Sequence, residues 1–226
     1  MNYDKETRSF YQSDRKAREY HEWYTRVGGV NGMRFRYIAR KEREAVRVLL
    51  ASVPHGRVID VPTGTGKMAS VFKQLSSIVL ACDVSPNMLK IAEEEYNRIG
   101  VDAKFKVVAL ESATETISGQ FDIVVCVRLM HRVPDDVKTV MLAQISKLAP
   151  RAIVSFAIDS PYEQVRGRLR RLLLSRGGDG VPAYRTWPKR GPLEAMLGTM
   201  FTIERVYPVS RLISSEVMYL LRSRHP

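Results

Sequence analysis

The chain has 226 residues, 45% of them hydrophobic and 27% charged, with a formal net charge of +12 and a pI near 9.9. This length suits one domain with a substantial core, and no apolar run approaches the roughly 20 residues of a membrane-spanning helix. The four histidines and the two cysteines, Cys82 and Cys126, lack zinc-type spacing, and both cysteines fall in apolar runs as small core residues.

The polar start, Met1 to Phe10, contains no apolar leader core, so a cytoplasmic location is expected. Aromatic residues, among them Tyr20, Trp23 and Tyr24, precede Gly28-Gly29-Val30-Asn31-Gly32, a break that reads as a hinge or loop. From Phe35 the positions Phe35, Ile38, Ala45, Val46, Leu49 and Leu50 follow helical spacing, with Glu42 as the polar exception. This predicts a helix packed on a sheet, and residues 1 to about 50 together read as a helical lid.

Strand-like runs at 57–61, 77–83, 104–109, 121–127 and 151–157 then alternate with helical runs near 67–75, 86–98 and 135–148. Such alternation predicts right-handed crossovers and a parallel, doubly wound sheet. The first strand ends in Asp60 and runs into Pro62-Thr63-Gly64-Thr65-Gly66, where two glycines let backbone approach a ligand closely. Asp83 closes the second strand about 20 residues after Gly64, a placement that suits a ribose diol. Gly64-Thr65-Gly66-Lys67-Met68-Ala69 also satisfies the dinucleotide fingerprint. Asp60, however, would repel a pyrophosphate and would suit a ligand carrying an ammonium group, so the nicotinamide-dependent reductase stays as an alternative.

Between Ser160 and Arg190 eight basic residues, Arg166 and Arg170 among them, face only Glu163 and Asp179. A basic amphipathic helix near 161–175 is predicted, suited to an anionic substrate, a lipid headgroup or RNA, or to solvent. Pro192 to Met200 reads as a short helix, and Phe201 to Val209 with Glu216 to Arg222 as two final strands.

Four of these places resemble the class I S-adenosylmethionine-dependent methyltransferases. Asp60-Val61-Pro62-Thr63-Gly64-Thr65-Gly66 is similar to the loop that cradles the methionine part, and Asp83-Val84-Ser85-Pro86-Asn87-Met88-Leu89 to the ribose motif. Phe121 to Val127 with Arg128-Leu129-Met130-His131 resembles the fourth strand and its loop, and Leu148 to Ser155 the fifth strand. The third motif departs from the family pattern: Glu111 and Ser112 stand where an Asp-Ala pair is usual.

The resemblance implies a Rossmann-like sheet of seven strands, mostly parallel, with the last strand antiparallel. It implies one domain over residues 1–226, decorated by the lid and by a basic insertion at about 160–200 before the final hairpin. S-adenosylmethionine would be the cofactor and S-adenosylhomocysteine its product, and no metal is expected. The implied cofactor-binding residues are Asp60, Pro62, Gly64, Thr65, Gly66, Asp83, Val84, Met88, Glu111, Ser112, Val127 and Arg128.

His131 is the candidate base or substrate-orienting group, since imidazole titrates near neutrality, against the alternative that it caps the next helix or bonds within its loop. Arg128 is equally a cofactor contact, an anion contact or a solvated cation. Tyr24, Arg34, Tyr37, His131, Arg166 and Arg170 are the candidate acceptor contacts. The expected activity is methyl transfer to O, N or C of a small-molecule or lipid-like acceptor. An RNA methyltransferase and a non-catalytic cofactor-binding regulator are the alternatives, the first disfavoured because no RNA-binding module is evident. Peripheral membrane contact, monomer and homodimer stay open.

Overall fold

The structure, a computed structural model, describes residues 17–19, 21–22, 29–160, 186–210 and 213–224. Tyr24, Arg166, Arg170 and the helix expected over 161–175 lie outside the described residues. Among the described residues the chain order is α1 (Gly29–Leu50), β1 (Arg57–Asp60), α2 (Ala69–Gln74), β2 (Ile78–Asp83), α3 (Pro86–Ile99) and β3 (Ala103–Val107). A 3-10 turn (Leu110–Ser112) and the one-turn helix α4 (Ala113–Thr116) follow, then β4 (Ile123–Cys126), a second 3-10 turn (Met130–Arg132), α5 (Asp135–Leu148) and β5 (Arg151–Ala157). The last elements are α6 (Arg190–Met200), β6 (Phe201–Pro208) and β7 (Glu216–Ser223).

The seven strands form one sheet in the order β3-β2-β1-β4-β5-β7-β6. The β1 to β5 pairs are parallel, and β7 runs antiparallel between β5 and β6, as expected from the sequence. The central strands are continuous apolar runs because helices cover both faces of the sheet. Side chains alternate between the two faces with the period of two that a strand imposes. Ile59, Val124, Cys126, Val154 and Tyr219 enter one core with α5 and α6. Val58, Val125, Ile153, Met218 and Leu220 enter the other with α1, α2 and Tyr96 of α3.

One expectation is overturned. Gly29 to Gly32, read as part of a hinge, form the first turn of α1. At the head of a helix the early N–H groups have no intrahelical partners in any case, so glycine costs less there than mid-helix.

The boundaries of α3 are written in its sequence. Ser85 accepts a hydrogen bond from Met88 N, Pro86 opens the first turn, and Gly100 ends the helix in the left-handed conformation at φ +77°. This capping places the N-terminus of α3 directly after Asp83, at the carboxyl end of β2. The chain order reverses between β1 and β4, so the crevice outside their carboxyl ends is the position where open α/β sheets hold ligands.

Candidate active site

The loop after β1 is tied down from below. Thr63 N donates to Cys82 O at 2.7 Å, and Gly66 N donates to Thr63 O at 3.1 Å. Gly64 (φ +56°) and Gly66 (φ +78°) both occupy the left-handed region, where a side chain is strained. Their roles differ. A Cβ on Gly66 would come within 3.2 Å of Tyr96 Cδ2 and 3.3 Å of the Ala92 backbone, whereas a Cβ on Gly64 would meet nothing within 4 Å among the described residues. Gly66 therefore lets the loop sit on α3, and Gly64 keeps an open approach on the crevice side.

Asp83 links this loop to the next motif. Its Oδ2 accepts from Gly64 N at 3.0 Å and its Oδ1 from Ser85 N at 2.9 Å. Burial raises its pKa to about 6, against the lowering effect of the backbone donors of Ser85, Gly64 and Val84. Each carboxylate oxygen keeps a further lone pair, so the group can still accept two hydroxyls. Thr65 is buried, and its Oγ1 has no hydrogen-bond partner among the described residues.

Asp60, the acid read as suited to an ammonium group, ends β1 under the same loop. It is buried beneath the loop, where the Tyr96 hydroxyl donates to its Oδ2 at 2.9 Å and stands 3.3 Å from Thr63 Oγ1. Burial, opposed by the hydrogen bonds from Thr63 and Tyr96, raises its pKa to about 7. Pro62 is half-buried in the same loop.

Along the far side of the crevice, Val84 is half-buried and Met88 is buried with Ile91 and Ala17, so the N-terminal segment touches α3 here. Glu111 and Ser112, both half-buried, occupy the 3-10 turn after β3.

On the near side, Val127 is buried and Arg128 follows it at φ +64°. Arg128 N donates to Ser155 Oγ at 2.8 Å, and its Nη1 pairs with Glu42 Oε1 of α1 at 2.9 Å. Arg128 is thus neither simply solvated nor directed at solvent. His131 is buried; its Nε2 accepts from Arg132 Nε at 3.1 Å and its carbonyl accepts from Thr186 N at 3.0 Å. The N-cap of α5 is Pro134, whose side chain makes no capping bond. Arg34 Nη2 donates to Ile213 O at 3.3 Å, joining α1 to the approach to β7. Tyr37 lies on the exposed face of α1 under the Arg40 guanidinium, 5.5 Å from its ring centre.

Several residues of the site escaped the sequence reading. Lys67, directly after Gly66, is pulled well below the usual lysine range by burial and then by Arg128, while Glu42 and Glu216 act the other way. Glu216 opens β7 opposite Ala157, at the carboxyl end of β5, and is buried. The signal for Glu42 was present, as a charge inside an apolar stripe.

Burial raises the Cys82 thiol to about 12 and pushes Cys126 higher, so neither is a nucleophile. No group of three or more potential metal ligands occurs among the described residues. Among the same residues no helix is long and apolar enough to cross a membrane.

Residues 58–150 match a family described as a methyltransferase domain. The ubiquinone biosynthesis O-methyltransferase of Xanthomonas euvesicatoria pv. vesicatoria (strain 85-10) is 29% identical over 129 residues, covering 56% of this chain and 53% of that protein. That of Bordetella avium (strain 197N) is 32% identical over 92 residues, covering 41% and 38%. The chain thus spans about half the length, or less, of these curated relatives. In fold it is similar to the magnesium protoporphyrin IX methyltransferase from Synechocystis PCC 6803 with bound S-adenosylhomocysteine. That match has a TM-score of 0.77 and 20% identity, over 96% of this chain and 98% of the other. The mitomycin 7-O-methyltransferase aligns with a TM-score of 0.68 at 15% identity, over 95% of this chain and 60% of the other. At these identities the structural likeness speaks for the fold.

Proposed function

We propose that the chain is a class I S-adenosylmethionine-dependent methyltransferase and transfers the methyl group of S-adenosylmethionine to a small-molecule or lipid-like acceptor, a reading supported by the methyltransferase-domain match and the relatives above. The observation that carries this reading is the Gly64–Asp83 contact at the β1/β4 crevice. One carboxylate there spans the loop backbone and the head of α3 and keeps lone pairs for a diol.

The residues suit the cofactor on three counts. Gly64 offers open backbone, the Thr65 hydroxyl awaits a partner, and the half-buried Glu111 and Ser112 flank the adenine side. Asp83 would accept the ribose hydroxyls, Gly64, Thr65 and Gly66 would hold the methionine part, and Val84, Met88 and Val127 would supply apolar wall. Asp60 and Pro62 shape the loop from beneath. The bound cofactor supplies an activated methyl group, so this chain's task is alignment and exclusion of water.

Arg128, held by Glu42, fixes the backbone of the reacting edge, and His131 orients the acceptor from the turn beyond it. Nε2 of His131 accepts from Arg132 Nε at 3.1 Å, a contact that fixes the ring in its turn. Arg34 and Tyr37, with Tyr24, Arg166 and Arg170, are the further acceptor-side candidates. A cytoplasmic enzyme of monomeric or homodimeric form is the accompanying reading, and the net charge of +12 favours anionic acceptors.

Methyl-labelled cofactor supplied with a small-molecule and lipid extract tests the acceptor class. Label in that fraction and none in added RNA supports the reading, and label in RNA alone overturns it.

A further inference from the structure

Two buried carboxyl groups outside the cofactor loop meet at the joint between α1 and the sheet. Glu42 on α1 is fully buried, and Glu216 at the start of β7 is 7% exposed. Glu42 Oε1 is taken by Arg128 Nη1 at 2.9 Å. Among the described residues one oxygen of each carboxylate, Glu42 Oε2 and Glu216 Oε1, lacks a hydrogen-bond donor. The two side chains are nevertheless within hydrogen-bonding reach of each other. Two carboxylates that close cannot both stay ionised in a buried setting, and a proton between them satisfies both orphaned oxygens at once.

We propose that Glu42 and Glu216 share one proton and act as a positioning pair, clamping α1 to β7 and holding Arg128 at the reacting edge of the site. The surroundings agree. Arg128 from the loop after β4 and Ser155 from β5 favour an ionised Glu216, whereas burial and Glu42 oppose it and raise it to about 8. Lys67 from the glycine loop feels both carboxyls, and it also feels Arg128 and Arg132. Close by, Arg34 Nη2 ties α1 to Ile213 O, and Val46 and Leu49 of α1 share a core with Met218 and Leu220 of β7. One carboxylate balances Arg128, and the shared proton spares the joint a second buried negative charge.

Loss of that proton places two negative charges at the contact. The clamp therefore weakens as pH rises through about 8, and with it the hold on Arg128 at the reacting edge. The effect on cofactor rests on the function proposed above, and the proton itself does not.

Carbon-13 NMR titration of the glutamate carboxyls, in wild type and in Glu42→Gln, tests the pair without any ligand. Glu216 is expected to titrate near pH 8 in the wild type, and about one pH unit or more lower once Glu42 carries no charge. Calorimetry of S-adenosylhomocysteine from pH 7 to 9 tests the positioning role. The wild-type dissociation constant is expected to rise about tenfold while that of Glu216→Gln, whose amide keeps the hydrogen bond, stays flat. A Glu216 midpoint in the ordinary glutamate range overturns the shared proton, and a Glu216→Gln profile with the wild-type slope overturns the positioning role. Wild-type protein that binds no S-adenosylhomocysteine at any pH overturns the positioning role together with the cofactor reading, and the titration still decides the proton.

Discussion

The Tyr96 hydroxyl of α3 donates to Asp60 Oδ2 at 2.9 Å beneath the glycine loop, where both residues are buried. The acid that ends β1 is thereby an internal pin for the loop. Tyr96 in turn is held by rings, edge-on to Phe105 at 5.5 Å and tilted against Phe72 at 6.3 Å. The floor of the site is thus set by packing between α2, α3 and β3 before any ligand arrives.

Tyr96→Phe keeps the ring packing and removes the donor, leaving a buried carboxyl short of a partner. The expected loss of stability is about 1–3 kcal/mol, read from urea denaturation at pH 7. A loss of under about 0.5 kcal/mol would show that the hydroxyl does not serve Asp60.

Asp60 and Asp83 make stability fall with pH. Their folded pKa values, about 7 and about 6, lie above the ordinary aspartate value of 3.8. Each therefore adds stability that is complete below pH 3.8 and is lost as pH rises through the folded value. Thermal melts should show Tm declining between pH 5 and 8 more steeply in wild type than in Asp60→Asn. Equal slopes would contradict the assignment for Asp60.

The two loop glycines should separate packing from ligand approach. Both Gly64→Ala and Gly66→Ala carry the left-handed penalty of about 1–2 kcal/mol. Gly66→Ala adds a contact of 3.3 Å with the Ala92 backbone, which cannot easily yield, so it should unfold at lower urea than Gly64→Ala. Gly64→Ala should stay folded and lose S-adenosylmethionine affinity. The reverse order of stabilities would refute the division.

Arg128→Gln leaves Glu42 without its cation inside the joint. Breaking a buried pair in this way costs about 3–5 kcal/mol. Adding Glu42→Gln should recover part of that loss, and the shortfall from additivity in a double-mutant cycle measures the coupling. Additive effects would show that the 2.9 Å contact carries little energy.

How much of this was legible in the sequence follows from the range of each signal. The sheet was legible because β-branched runs such as Val58 to Val61 alternate with helical spacing, and Ser85, Pro86 and Gly100 cap α3 through local rules. The tight turn after β1 was legible because Gly64 and Gly66 signal positive φ, and the acid that closes β2 at a fixed spacing is the one that bonds Gly64 N. Tyr96, Glu216 and Ser155 were not, since each meets its partner only through packing across the sheet, 36 residues away in the case of Tyr96 and Asp60. Glu42 was visible as an anomaly, but its partner Arg128 lies 86 residues on and nothing local names it. The glycine cluster that opens α1 misled because glycine signals a break mid-chain and is tolerated in a first helical turn.

Calorimetry of S-adenosylmethionine, S-adenosylhomocysteine and NADH with wild type and Asp83→Ala tests the central claim most directly. The account predicts binding of both sulfur nucleosides and no binding of NADH. It also predicts that Asp83→Ala weakens the sulfur nucleosides about tenfold or more, as the loss of hydrogen bonds to a charged acceptor implies. Binding of NADH without either sulfur nucleoside would contradict it, and so would an Asp83→Ala protein that binds them as tightly as wild type.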